Sequence, residues 1–204
     1  MAKRALFDPA LEKVCSKITL PELAKAEDIY LDLLEIIISQ QLSGKVAKVI
    51  FNRFLELFDN NYPKPEILVH TKDDTLKNAG LSNSKTNYVK NLAAFALNND
   101  LSINHIDTLS DNDILELLTK VKGIGKWSVE MLLIFSLERP DVFPFDDLVI
   151  KKSMIEIYGI NKEGKELIKR MNSIANKWKP NRTLASRYLW ANYDLKQKSK
   201  KGKE

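Results

Sequence analysis

A chain of 204 residues, 44% of them apolar, is long enough to bury a core in one large domain or two small ones. Its lone cysteine, Cys15, excludes an internal disulfide and an iron–sulfur cluster on four thiolates, and two isolated histidines, His70 and His105, make no zinc site. The formal charge of +5 and pI near 9.1 admit a polyanionic partner, although much of the excess sits in the closing KQKSKKGKE, expected as a frayed basic tail over 196–204.

Taken in chain order, the opening MAKRALFDPALEK carries no apolar run of signal-peptide length. No later stretch approaches the roughly 18 to 20 apolar residues of a spanning helix, so the chain is expected in the cytoplasm, away from any membrane. Ile29, Leu33, Ile36, Ile37 and Gln40 trace a helical stripe, and Ile114, Leu117, Leu118 and Val121 repeat it at i, i+3, i+4 and i+7. PEILVH, residues 65–70, is the one ambiguous piece that could be strand. Breaks fall at Pro21, Ser43-Gly44, Pro63 to Pro65, Ala79-Gly80, Asn98 to Asp100, Gly123 to Gly125, Arg139-Pro140, Gly159 and Pro180. About ten short helices and no repeat period follow, and the expected class is all-α, in one or two closely packed lobes.

VKGIGKW, residues 121–127, places two glycines one residue apart between lysines. A dinucleotide fingerprint would need a strand before the glycines and a third glycine after them. DNDILELLTKV reads instead as a helix capped by Asp111, and position 128 is serine. What remains is helix, tight turn, helix, with VEMLLIFSL as a buried second helix. Such a turn either merely joins two helices or grips a phosphate on its free N–H groups. Lys122 and Lys126, flanking Gly123 and Gly125, tilt the reading toward the backbone of a nucleic acid. Trp127, Met131 and Ile134 share one face of the second helix at roughly 100° per residue, which core packing would also explain.

Downstream, DVFPFDDLVIKK sets two acids at a helix start. Capping is the ordinary use of both, worth about 0.3 to 1 kcal/mol from the helix dipole. Phe143, Phe145, Leu148, Val149 and Ile150 around them would instead strip water from a carboxylate and strengthen its pull on a cation. In the last helix Leu184, Tyr188, Ala191 and Leu195 form an apolar stripe, from which Trp190 points roughly 135° away.

VKGIGKWSVEMLLIF followed by DVFPFDDLVIKK resembles the helix-hairpin-helix DNA glycosylase superfamily, in particular its 3-methyladenine DNA glycosylase II branch. DIYLDLLEIIISQQLSGKVA, AGLSNSKTNYVKNLA and KWKPNRTLASRYLWA are similar to further segments of that branch, so the likeness runs over about 28–193. It implies one glycosylase unit of two all-helical lobes, a middle lobe of roughly 40–138 and a second from the terminal helices, with the active cleft between them. By the same resemblance, the sheet domain of some members is not expected before residue 28.

By this resemblance Asp147, followed by LVIKK, is the catalytic carboxylate and Asp146 the cap. The fixed charge would stabilise an oxocarbenium-like sugar and orient the attacking water. Trp127 stands where bifunctional branches carry a nucleophilic lysine, which implies hydrolysis without lyase chemistry. Trp127, Met131 and Trp190 are implied as walls for a flipped cationic base. The turn Gln40 to Ser43 is similar to the segment that fills the gap in the duplex, with either Gln41 or Leu42 as the wedge. No organic cofactor is implied; a structural Na+ or K+ on the hairpin carbonyls of Val121 and Gly123 is. The expected activity is excision of 3-methyladenine- and 7-methylguanine-type bases by a monomer acting on double-stranded DNA, in the cytoplasm of a prokaryote or the nucleus of a eukaryote. A glycosylase for uracil, mismatched or oxidised bases, and a helix-hairpin-helix module that only binds DNA, are the rival readings.

Overall fold

A computed structural model of the chain describes residues 6–23 and 25–201. Among these residues the regular elements are helices and no strand is present. In order they are α1 (Pro9–Cys15), α2 (Ile29–Ser39), α3 (Gly44–Leu55), α4 (Pro65–His70), α5 (Asp73–Asn78), α6 (Asn83–Ala96), α7 (Ile103–Ile106), α8 (Asp111–Leu118), α9 (Lys126–Met131), α10 (Leu148–Tyr158), α11 (Gly164–Ala175) and α12 (Arg182–Lys201). PEILVH is the helix α4, with Pro65 at its first position, where proline's missing N–H costs nothing. No helix of the described residues is long and apolar enough to cross a membrane.

The chain divides into two compact units, Ala24–Leu137 and a second formed by Met1–Leu23 with Glu138–Glu204. The middle unit therefore begins at 24 and not near 40, because α2 is its central helix. Leu33, Leu34, Ile37 and Ile38 are fully buried, and α2 packs on α3, α6 and α9. Such burial of four branched side chains contributes about 1.5 to 3 kcal/mol each, far more than helix propensity could supply. Asp28 caps α2 by accepting from Leu31 N, and its other oxygen accepts from Tyr62 OH at 2.7 Å. Ser110, not Asp111, caps α8: its hydroxyl accepts from Asp113 N while the Asp113 carboxylate accepts from Ser110 N, a reciprocal capping box.

The second unit is organised around Trp178, which is fully buried against the rings of Phe7, Phe143 and Tyr158. Its indole N–H donates to Asp8 Oδ2 at 2.9 Å, and Tyr158 OH donates to the same oxygen at 2.9 Å. Asp8 also caps α1, accepting from Ala10 N and Leu11 N. On α12 the buried stripe is Ala185, Ser186 and Leu189, one position away from the stripe read from spacing, and Leu195 lies 49% exposed. The apolar alternatives on that helix were close enough that packing against α10 decided between them. Lys196 to Lys201 of the basic tail continue α12 where fraying was expected, and 202–204 lie outside the described residues.

Burial alone would raise the Asp8 carboxyl, but hydrogen bonds from Trp178, Tyr158 and the α1 backbone overcome it and hold the group below its ordinary value. A carboxyl lowered in the folded state stabilises above its unfolded pKa and loses that contribution as pH falls through the folded one. Asp8→Ala is therefore expected to lose about 2 kcal/mol of unfolding free energy at neutral pH, from the cap and the charged hydrogen bonds. Urea unfolding of both proteins should show the difference shrinking toward strongly acidic pH.

Candidate active site

In the middle unit the hairpin between α8 and α9 is fixed by a glycine and two amides. Gly123 has φ +112°, which L side chains rarely adopt, and a Cβ there would fall 2.2 Å from Tyr88 Cγ. Gln40 Nε2 donates to Gly123 O at 2.9 Å and to Ser128 Oγ at 3.0 Å, so one side chain ties the end of α2 to both the turn and α9. Asn91 Nδ2 donates to Lys122 O at 3.1 Å. Gly125 differs from Gly123: it caps α9 with φ −104° and ψ 177°, and a Cβ there would meet nothing within 4 Å. Lys122 is exposed, and Lys126 pairs with the buried Glu130 at 3.5 Å.

At the same end of α2, Lys85 Nζ donates to Ile38 O at 2.7 Å and Gln40 O at 2.8 Å, closing the carbonyls that end the helix. Burial lowers the pKa of this ammonium. Past that anchor Gln41 stands exposed with φ +59°, while Leu42 is half-buried. Gln40, Lys85 and Tyr88 are not legible as site-builders in the sequence, because their partners lie in elements distant along the chain.

Trp127 and Met131 do line a cavity, of about 390 Å³, in this unit. Ile134, expected on the same face, is fully buried, and Phe135 and Ser136 face the cavity in its place. The reason is a π turn over Leu132–Ser136 at the end of α9, which widens the helix and rotates the later residues. Opposite them stands one face of α2, Asp32, Glu35, Ile36 and Ser39, spaced i, i+3, i+4 and i+7. Asp32 is hydrogen-bonded to the Ser136 side chain. Burial, then for Asp32 the Asp28 charge and for Glu35 the Asp32 charge, raises both carboxyls; Ser136 opposes the shift at Asp32 and Lys48 opposes it at Glu35.

In the second unit Asp147 caps α10. Its Oδ1 accepts from Val149 N and Ile150 N, both at 2.9 Å, and from Trp190 Nε1 at 3.0 Å. Three N–H donors on one oxygen fix the carboxylate's orientation. The assignment of the cap to Asp146 is corrected: Asp146 is exposed and pairs with Lys151 at 3.2 Å, because the helix begins one residue later than that assignment requires. Leu148, expected among the apolar flank, is 63% exposed, whereas Phe143 and Ile150 are buried. The Trp190 hydrogen bond was not legible from spacing, which gave only the direction of the ring. Among the described residues no group of three or more His, Cys, Asp or Glu is placed to hold a metal ion.

Residues 34–180 match the model of the HhH-GPD superfamily of base excision DNA repair proteins. The chain is similar to the DNA-3-methyladenine glycosylase 1 of Schizosaccharomyces pombe, with 36% identity over 79% of this chain and 71% of that protein. It is likewise similar to the alkylbase DNA glycosidase-like protein mag2 of the same organism, at 32% identity over 79% of this chain and 76% of the other. Among solved structures, that of the Schizosaccharomyces pombe 3-methyladenine DNA glycosylase in complex with abasic DNA matches with a TM-score of 0.82 and 31% identity, over 90% of each chain.

The two glycines make opposite demands, and this is measurable. Gly123→Ala must displace the Tyr88 ring and adopt a strained backbone, and is expected to lose about 2 to 4 kcal/mol of stability. Gly125→Ala is expected to change stability by less than about 1 kcal/mol in the same unfolding measurement.

Proposed function

We propose, for a chain that belongs to the HhH-GPD superfamily of base excision DNA repair proteins, that it is a monofunctional DNA glycosylase releasing alkylated purines such as 3-methyladenine and 7-methylguanine from duplex DNA. The likeness to two alkylbase glycosylases over most of both chains supports the substrate class. The single observation on this chain that supports the chemistry most directly is Asp147, whose oxygen is held by two backbone N–H groups and the Trp190 indole.

The reaction breaks the bond between C1′ of the sugar and the base nitrogen. Its electron pair leaves with the base, so a cationic alkylpurine departs neutral and needs little help from a general acid. The sugar left behind approaches an oxocarbenium ion, which a fixed, preoriented carboxylate stabilises without reorganising. Water adds its oxygen at C1′, and its proton passes to Asp147 or to solvent. Trp127 occupies the position of the lyase lysine, and an indole cannot form a Schiff base, so the strand stays intact.

The hairpin holds DNA through Lys122, Gly123, Gly125 and Lys126, which meet phosphates and carry no sequence readout. Trp127, Met131 and Trp190 contact the flipped base. Exposure and the left-handed backbone favour Gln41 over Leu42 as the wedge. The carbonyls of Val121 and Gly123 accept from Ile124 N and Gln40 Nε2, and a carbonyl oxygen, with two lone pairs, is a donor suited to a hard monovalent cation. Such an ion would bring a phosphate oxygen closer to the turn. The partner is double-stranded DNA bound by a monomer, in whichever compartment holds it.

Base release from methylated duplex, followed by chromatography of the freed bases, tests the reading. The parent protein should free 3-methyladenine or 7-methylguanine without strand cleavage. Asp147→Asn keeps an acceptor for the α10 cap and should still bind DNA, with release slowed about a hundredfold or more. Release at the parental rate would remove Asp147 from the catalytic role. Gly125→Phe should weaken binding to damaged and undamaged duplex alike, with the loss growing at higher salt, because the contact is to backbone; loss confined to damaged DNA would contradict it.

A further inference from the structure

A protein of net charge +5 that binds a polyanion has an electrostatic reason to keep carboxylates away from the ligand. The cavity beside Trp127 does the reverse. The charged side chains lining it are Asp32 and Glu35, and no lysine, arginine or histidine shares the lining with them. The remaining walls are the Trp127 and Phe135 rings, the Met131 thioether and small polar groups. Two carboxylates one helical turn apart repel each other, and neither caps a helix. Asp32 is nonetheless fixed in place, by Ser136, which the π turn brings round to the cavity.

We propose that Asp32, supported by Glu35, selects positively charged bases in this cavity. The proposal rests on the reading of the cavity as the base pocket and adds the group that discriminates by charge. A volume of about 390 Å³ lies within the range of small-molecule sites and accommodates a purine. An indole face attracts a cationic ring, but it also stacks on every neutral base, so aromatic walls by themselves discriminate weakly. A partly desolvated carboxylate adds attraction that a neutral base does not feel at all. The raised pKa of both acids is the cost of that arrangement that Ser136 and Lys48 relieve only in part, and a bound cation would offset it.

The chemistry also dictates where the effect appears. The positive charge is on the base in the flipped substrate and leaves the base as the glycosidic bond breaks. Attraction to Asp32 therefore acts on capture of the lesion and declines toward the transition state, so it strengthens binding of charged lesions without accelerating the bond-breaking step.

The test compares two duplexes, one holding 7-methylguanine and the other its uncharged isostere 7-deaza-7-methylguanine, each on a 2′-fluoro sugar that resists cleavage. The parent protein should bind the charged duplex more tightly. Asp32→Asn, which keeps an oxygen for Ser136, should lower that preference about tenfold, through weaker binding of the charged duplex alone. Glu35→Gln should lower it less, and Asp32→Glu should retain it. Equal weakening of both duplexes by Asp32→Asn would overturn charge selection while leaving the base pocket in place. An unchanged preference would overturn it as well. Failure of the glycosylase reading is seen separately, as no base released by the parent protein from methylated DNA.

Discussion

The middle unit depends on one side-chain amide. Gln40 donates to the Gly123 carbonyl and the Ser128 hydroxyl, and so sets where the end of α2 lies against the hairpin and against α9. Both walls of the cavity follow from that register, since one is a face of α2 and the other a face of α9. Lys85 supports the same joint from the α6 side by binding the Ile38 and Gln40 carbonyls. A half-buried amide that makes both of these hydrogen bonds is directional in a way that the apolar contacts around it are not. Leu33, Leu34, Ile37 and Ile38 supply most of the stabilisation, but they would tolerate a helix slid by part of a turn.

The hairpin glycines divide two tasks that a motif reading merges. Gly123 is demanded by the fold itself, through its positive φ and the Tyr88 ring against it. Gly125 meets no such demand, since a Cβ there would have nothing within 4 Å. Lys126 is tied to Glu130 while Lys122 is exposed, so the two flanking lysines stand in different surroundings.

In the second unit capping and catalysis stood as competing uses of the paired acids. Asp147 is the cap, and the proposed catalytic role would use the same fixed carboxylate. The backbone N–H groups at the start of α10 and the Trp190 indole orient its carboxylate, and the same order is what preorganised charge stabilisation requires. The rigidity of that unit comes from another carboxylate, Asp8, which collects the indole of Trp178, the hydroxyl of Tyr158 and two N–H groups of α1. Asp8, Asp28 and Asp147 act as acceptors that fix geometry. Asp32 and Glu35 stand apart, since burial raises their pKa more than Ser136 and Lys48 lower it.

The sequence by itself determined the all-helical class, the hairpin with its two glycines, the Trp127 and Met131 face, and Asp147 at a helix start. Each of these depends on local rules: helical periodicity, the turn chemistry of glycine, and the preference of acids for first turns. Only the tertiary structure decided that α2 belongs to the middle unit, that Asp147 itself is the cap, that Phe135 replaces Ile134 at the cavity, and that Gln40, Lys85 and Tyr88 build the joint. Those outcomes depend on partners distant in the chain, or on a single residue of helical register. Local propensities differ by less than about 1 kcal/mol there, and packing, worth several times as much, makes the choice.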